Sequence, residues 1–448
     1  MQKVTSNIED RENIINIVRS KSIERSCEED YKWAFSHLKP KQTQYLTHGY
    51  HRYPAKFIPQ LVSVLIQEYS RPKEIICDPF GGCGTTLVEA KLAGRQSLGF
   101  DINPLAVLIT RVKTTAIPPS KLADRYALLC KEMEAGRSAQ RKGVTNNFEH
   151  YDRLSYWFGK DNLEQVLILR NRIRSESDTS VGRFFMCGLS HVLKKCSYWL
   201  SSSIKPQKDP TKIPNHPIEA FRHHIDHMII RNEEYYQTLK GKRCLSTKSI
   251  MRRADARHLP LKNGSVDLII TSPPYSISYD YLDIHQLSIC VLGYCHLLSE
   301  LKTSFIGSKN SNDCSQLTTN RKARQTIDSL ASLDRRLFKA INNYFEDMHL
   351  AYSEFHRVLK GQGRACIVLG DTVARGITIP NVEVALEQLE EAGFIVEQIV
   401  ERPVSGKVLD PYRDSTTGQF TSAANPTATK MYSHEYILIV KKTRSLYC

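Results

Sequence analysis

The chain has 448 residues, with 62 lysines and arginines against 47 aspartates and glutamates, a formal charge of +15 and a pI near 9.2. That excess favours a polyanionic partner, nucleic acid first and an acidic membrane surface second. Hydrophobic content of 41% and charged content of 24% are ordinary for a soluble globular protein; the length suits one large α/β domain with a long insertion or two compact units, and no apolar run approaches a membrane-spanning helix.

Residues 1–46 read as a polar helical arm anchored by Trp33 and Phe35. Met1 to Val18 mixes charge with short apolar pairs and has no apolar core, so no secretory signal is expected. Twelve cysteines lie scattered with no Cys-x-x-Cys pair, the pattern of reduced thiols in a cytoplasm. His48-Gly49-Tyr50-His51-Arg52-Tyr53-Pro54-Ala55-Lys56-Phe57 then forms an aromatic and basic lead-in suited to the rim of a ligand site. Pro59 fits a first helical position, and Leu61, Val62, Leu65 and Ile66 give the helix behind it an apolar face.

Glu74 to Asp78 is a buried strand, Pro79 to Thr86 a glycine-rich turn, and Leu87, Val88, Ala90, Leu92 and Ala93 the apolar face of a helix closed by Gly94. Glycines let the backbone pass close to a ligand, and the helix begins with free amide donors. Two phosphate-binding readings fail here. A P-loop needs a lysine that Gly84-Thr85-Thr86 lacks. A dinucleotide site must seat a pyrophosphate, which Asp78 at the strand end would repel. An acid at that point suits a cationic or amine-bearing ligand. A second strand, Ser97 to Asp101, ends in another acid about twenty residues on, the spacing at which such folds bind a ribose diol. Its other reading is a helix cap, since Asn103-Pro104 opens a helix through Ala106, Val107 and Ile109.

From about Pro118 to Thr247 helical patterns dominate, among them Leu122 to Met133 and Leu163 to Ile173. Phe184 to Leu200 reads as an apolar helix carrying Lys194 and Lys195, followed by a flexible basic loop with Lys205 and Lys208. No stretch alternates as a strand would, so the region is read as a helical insertion beside the sheet. His223, His224, Asp226 and His227 contain one metal-ligand spacing, but a solvated helix face without metal is the expected reading.

Arg253-Ala254-Asp255-Ala256-Arg257 places an acid at a third strand end. Asn263-Gly264 then turns the chain into an apolar strand that runs into Thr271-Ser272-Pro273-Pro274-Tyr275. The two prolines fix φ and remove amide donors, so the Ser272 and Pro273 carbonyls are not consumed by local pairing. Ser272 adds a hydroxyl and Tyr275 a flat face for a planar heterocycle. Rich in acceptors and short of donors, the corner suits a primary amine on an aromatic ring; by itself it also fits a tight loop after a buried strand. Tyr279-Asp280-Tyr281 leads into a helix through Leu287 to Leu298, and Thr303 to Lys322 is either a mobile loop or a linker. A helix from Tyr344 to Leu359 is expected to stop at Lys360-Gly361, ahead of a strand from Ala365 to Leu369 and a helix from Val382 to Glu391. Phe394 to Val400 and Glu435 to Lys441 complete the pattern as an antiparallel hairpin.

Asp78-Pro79-Phe80-x-Gly82-x-Gly84-Thr85-Thr86 together with Thr271-Ser272-Pro273-Pro274-Tyr275 resembles the prokaryotic DNA methyltransferases that modify exocyclic amines. The Ser-Pro-Pro-Tyr form resembles the cytosine-N4 branch more than the adenine-N6 branch. The resemblance covers about residues 48–111 and 246–440. It implies an α/β, doubly wound, mostly parallel seven-stranded sheet with an antiparallel C-terminal edge hairpin, a Rossmann-like methyltransferase fold. Residues 47–117 and 248–448 would form the catalytic domain and 118–247 a helical insertion for DNA target recognition. That insertion precedes the third cofactor motif, outside the common motif orders, which leaves the class open.

The resemblance further implies S-adenosyl-L-methionine as cofactor. Tyr53, Pro54, Lys56 and Phe57 would close over its methionine part, Asp78, Pro79, Phe80, Gly82, Gly84, Thr85 and Thr86 would form its turn, Asp101 would take its ribose, and Asp255 with Ala256 its adenine, with Thr271 beside them. Ser272, Pro273, Pro274 and Tyr275 would act on a base flipped out of double-stranded DNA, whose phosphates meet Lys194, Lys195, Lys205 and Lys208. A cognate restriction endonuclease and a prokaryotic cytoplasm are the implied setting, with no membrane and no metal. No Pro-Cys dipeptide occurs, which counts against cytosine-C5 chemistry. The alternatives are adenine-N6 methylation of DNA, methylation of RNA, and a non-catalytic DNA-binding protein on the same scaffold.

Overall fold

The structure is a computed structural model and describes residues 33–35, 37–39, 41–135, 148–277, 280–308, 320–331, 333–403, 412–414, 420–422, 424–430 and 434–443. Most of the expected N-terminal arm, Tyr279 and the centre of the 303–322 stretch lie outside these residues. The two aromatic anchors are described: Trp33 is buried and Phe35 packs against the same apolar cluster.

In chain order, α1 (Pro59–Tyr69), β1 (Ile75–Asp78), α2 (Thr85–Leu92), β2 (Gln96–Asp101) and α3 (Pro104–Thr114) come first. Five helices follow among the described residues: α4 (Pro119–Ala135), α5 (Tyr151–Trp157), α6 (Lys160–Arg174), α7 (Thr179–Val192) and α8 (Pro217–Gly241). The sheet resumes with β3 (Ser249–Arg253) and β4 (Val266–Thr271), then α9 (Tyr281–Leu292), α10 (Leu298–Lys302), α11 (Arg321–Ala331) and α12 (Arg335–Val358). The chain finishes with β5 (Leu359–Leu369), the small pair β6 (Thr372–Ala374) and β7 (Ile377–Ile379), α13 (Asn381–Glu391), β8 (Phe394–Pro403), short β9 (Tyr412–Asp414), β10 (Phe420–Thr421) and β11 (Ala428–Lys430), and β12 (His434–Lys442).

Seven strands form one sheet in the order β3-β2-β1-β4-β5-β12-β8. All run parallel except β12, which is antiparallel to both β5 and β8. The expected doubly wound fold with its antiparallel C-terminal edge hairpin is therefore present; β8 takes the edge and the last strand slots inside it. The central strands read as continuous apolar runs because both faces are covered. On one face α1 buries Leu61, Val62, Leu65 and Ile66 against Ile76, Leu268 and Ile270. On the other, α12 and α13 bring Phe345, Met348, Phe355 and Leu386 against Ile269, Ala365 and Ile367.

Three local expectations are corrected. The helix expected from Tyr344 begins at Arg335, where Asp334 caps it by accepting from the Arg336 and Leu337 amides. Lys360 and Gly361 do not stop a helix into a loop; they lie inside β5. The helix expected to run to Leu200 ends at Val192, and the basic segment behind it is built rather than loose. There Leu200 donates to Gln207, Asp209 donates to Tyr198, and Trp199 bridges Lys208. The core of the helical region continues into α3 and α9 through Leu105, Ile109, Leu287 and Cys290, so the insertion is packed onto the helices that flank the site.

Candidate active site

Strand order reverses between β1 and β4, the switch point at which open α/β sheets leave a crevice beyond the strand ends. These two strands are parallel neighbours, with Ile76 opposite Leu268 and Cys77 opposite Ile269. The glycine turn and the Ser-Pro-Pro-Tyr corner consequently leave the sheet side by side. Asp78, only 3% exposed, accepts the Thr271 hydroxyl at 2.7 Å and the Phe80 amide at 3.2 Å. Thr86 reaches the Ile270 carbonyl at 3.4 Å. Burial pushes the Asp78 carboxyl up to about 6, against the opposing hydrogen bond from Thr271. Asp78 and Thr271 thus join the two motifs to each other, where the sequence placed both against a ligand.

The turn itself needs glycine twice. Gly82 has φ +48° and Gly84 φ +79°, values that L side chains rarely adopt. A side chain at Gly84 would also collide with Thr110 of α3 at 2.5 Å, so this glycine serves the packing of α3 on the turn. Asp101 accepts the Gly82 amide at 2.9 Å and the Asn103 amide at 2.8 Å. The cap of α3 is Asn103, whose Oδ1 accepts from Leu105. A carboxylate offers about four lone-pair sites, so Asp101 retains acceptor capacity for a hydroxyl pair; burial pushes it up to about 6.

The lead-in closes one side of this turn. A Cβ added at Gly82 would stand 3.6 Å from the Tyr53 ring, and that ring stacks on Tyr281 and lies 4.9 Å from His285. Behind it Glu89 of α2 accepts from the Tyr45 hydroxyl at 2.6 Å and bonds His48 Nε2 at 2.7 Å. Lys56 donates to the His48 carbonyl at 3.3 Å, and burial with the nearby Lys113 charge lowers its ammonium to about 8. Pro54 is half-buried, and Phe57 packs on the α1 cluster. Thr85 is buried in the first turn of α2, and Phe80 packs edge-on against Phe355. His285 carried no recognisable sequence signal, being a lone histidine in an apolar helix, yet it meets both Tyr53 and Asn103.

At the corner Pro273 is buried, while Ser272, Pro274 and Tyr275 are half-buried. No hydrogen bond among the described residues uses the Ser272 hydroxyl or the Ser272 and Pro273 carbonyls. Ser276 pairs with Thr372 at 2.8 Å, and Tyr275 lies against Gly370 at the end of β5. Asp255 follows β3, but Arg257 engages both of its carboxylate oxygens, at 2.6 Å from Nη2 and 3.0 Å from Nε. Any amine bound there shares the acid with that guanidinium. Ala256 beside it is buried.

The four lysines fall into two pairs. Lys195 and Lys205 are exposed. Lys194 donates to the Ser203 carbonyl, and Lys208 sits 4.3 Å over the Tyr156 ring, so both brace their own segment. His223, Asp226 and His227 are exposed on α8, and His223, His224 and His227 line a shallow cleft of about 280 Å³ with Lys195, Asn215 and Glu219. Among the described residues no group of His, Cys, Asp or Glu is placed to hold a metal ion, and no helix is long and apolar enough to cross a membrane.

A protein family described as DNA methylase matches residues 4–111 and 266–447, the two stretches that contain the glycine turn and the Ser-Pro-Pro-Tyr corner. The chain is similar to the Type II methyltransferase M.MvaI of Kocuria varians, 26% identical over 363 residues that cover 76% of this chain and 80% of that one. It is likewise similar to the Type II methyltransferase M.AvaI of Anabaena variabilis, 26% identical with 83% of each chain covered. A solved SAM-dependent methyltransferase from Methanosarcina mazei aligns over 88% of this chain and 99% of its own, at 10% identity and a TM-score of 0.31. With its family match spanning more than half of its length, the chain belongs to the DNA methylases.

Proposed function

We propose that this DNA methylase transfers a methyl group from S-adenosyl-L-methionine to the exocyclic N4 amine of cytosine in double-stranded DNA, at a specific sequence and as the modification half of a restriction-modification pair. The observation that carries the reading is the Asp78–Thr271 bond, which fixes an acceptor-lined corner beside the glycine turn. The named relatives, both Type II methyltransferases, support the restriction-modification setting.

The residues suit such a cofactor without a pyrophosphate site: a buried acid with spare acceptor capacity at Asp101, an aromatic wall at Tyr53, and no lysine in the turn. Bound S-adenosylmethionine supplies an electrophilic methyl group on a sulfonium. The chain's own work is done on the amine. Its lone pair is delocalised into the ring and is a poor nucleophile. The Ser272 hydroxyl oxygen and the Ser272 and Pro273 carbonyls accept its hydrogens and favour a pyramidal nitrogen with the lone pair turned out. The N–C bond would form as the methyl–sulfur bond breaks, and the methylated nitrogen would then give up one proton to solvent. The hydrogen bonds strengthen as positive charge develops on nitrogen, so they stabilise the transition state more than the ground state. Pro274 holds the corner's shape, and Tyr275 stacks on the extruded base. Lys195 and Lys205 meet the phosphates.

Incubation with radiolabelled S-adenosylmethionine tests this reading. Label is expected in duplex DNA and not in tRNA; label in tRNA alone moves the activity to RNA, and no transfer with no cofactor binding points to a DNA-binding scaffold.

A further inference from the structure

The three residues that precede the cofactor rim are clasped by histidines of the insertion. His224 of α8 donates from Nε2 to the Tyr50 carbonyl at 2.9 Å. The Arg52 amide donates to His191 Nδ1 of α7 at 3.3 Å. Between them His51 donates from Nδ1 to the Arg52 carbonyl at 2.7 Å, and its Nε2 pairs with Ser190 at 2.9 Å. His191 and His224 lie face to face, 3.8 Å apart and 9° from parallel, with His51 edge-on to His191 at 5.5 Å.

The backbone partners decide the tautomers. A carbonyl only accepts, so His224 carries its proton on Nε2; an amide only donates, so His191 keeps Nδ1 bare. Burial holds both rings neutral, His224 lowered to about 4 and His191 well below the usual imidazole range. Two neutral imidazoles of opposite hydrogen-bonding sense thus satisfy a carbonyl and an amide two residues apart. A merely apolar contact between helices would leave the part-buried Tyr50 carbonyl unmet and the exposed Arg52 amide to water. A few residues upstream Glu89 of α2 holds Tyr45 and His48. Tyr53, the residue against Gly82, is the first beyond these contacts.

We propose that His191 and His224 are positioning residues for cofactor binding: the stacked pair fixes the Tyr50–Arg52 backbone and thereby sets the Tyr53 ring against the glycine turn. The inference rests on the reading that Tyr53 to Phe57 borders S-adenosylmethionine. The pair touches neither the acceptor corner nor the target base, so its effect falls on cofactor affinity and not on the chemical step.

The experiment measures S-adenosylmethionine Kd by calorimetry, KM and kcat on duplex DNA, and Tm, on the full chain. His224→Phe keeps a stacking ring and loses the donor; His191→Phe loses the acceptor; His224→Gln restores an N–H donor. His224→Phe is expected to raise Kd and KM for the cofactor about tenfold, the scale of one unmet part-buried backbone carbonyl. His191→Phe is expected to raise them about threefold, because the Arg52 amide is exposed and water can meet it. Both should keep kcat within about twofold, with His224→Gln close to wild type. Methionine replaces phenylalanine in the same comparison if those variants do not fold. Tyr53→Ala separates the two levels of the reading. If Tyr53→Ala weakens binding while His191→Phe and His224→Phe bind as wild type, or if His224→Gln loses as much as His224→Phe, the positioning role is overturned alone. If Tyr53→Ala binds as wild type, the rim assignment falls and this inference with it.

Discussion

Thr271 donates its hydroxyl to Asp78 at 2.7 Å across 193 positions of sequence. One is the last residue of the strand before the acceptor corner, the other the last residue before the glycine turn. This bond makes the relative position of the glycine turn and the Ser-Pro-Pro-Tyr corner a property of the sheet rather than of two independent loops.

Thr271→Val keeps the side chain's shape and removes the donor, leaving Asp78 one bond short in a buried setting. Unfolding in urea should show a loss of about 1–3 kcal/mol. Turnover should fall along with stability, because both corners shift. Full stability and full activity in this variant contradict the coupling.

Tyr275→Ala should cost far more turnover than cofactor affinity, since a base–aromatic stack contributes about 1–3 kcal/mol by truncation. Tyr275→Phe keeps the face and should retain most of the activity. Equal losses of kcat and of S-adenosylmethionine affinity in the alanine variant refute a stacking role.

Asp78 and Asp101 are both pushed up to about 6 by burial. Unfolded aspartate titrates near ~3.9, so between those values the folded chain holds more protons than the unfolded one. The stability these acids contribute is present at low pH and is lost as pH rises from about 4 to about 6. On the proposal that the ionised carboxylate of Asp101 holds a ribose diol, cofactor affinity should run the opposite way. Kd for S-adenosylmethionine should tighten as pH rises through about 6 in the wild type and lose that dependence in Asp101→Asn. The same pH dependence in both proteins removes Asp101 from the site.

Lys195→Ala and Lys205→Ala should each weaken DNA binding and reduce the slope of log K against log salt by about 0.9. Lys194→Ala should act through its own segment, where the ammonium meets Ser203, and should lower Tm more than it changes the salt slope. Indistinguishable salt slopes in all three variants and the wild type place the DNA elsewhere.

Much of this was legible in the sequence because it depends on local rules. Glycine and proline spacing located both corners, apolar runs located the buried strands, and Pro59 marked the start of α1. What residue type alone could not show is what a distant partner decides. Asp78 and Thr271 are adjacent only once β1 lies beside β4, so residue type alone assigned both to a ligand. The packing of Thr110 beside Gly84 was likewise not legible. Nor could the sequence show the carbonyl that Lys194 meets or the aromatic ring beneath Lys208. The histidine clasp was invisible for the same reason: His51, His191 and His224 belong to three separate elements.

The most direct measurement is the position of the added methyl group. DNA modified by the purified protein, digested to nucleosides and resolved by mass spectrometry against authentic standards, should contain N4-methylcytosine. N6-methyladenine in its place, with no N4-methylcytosine, contradicts the assignment of the Ser272–Tyr275 corner to cytosine.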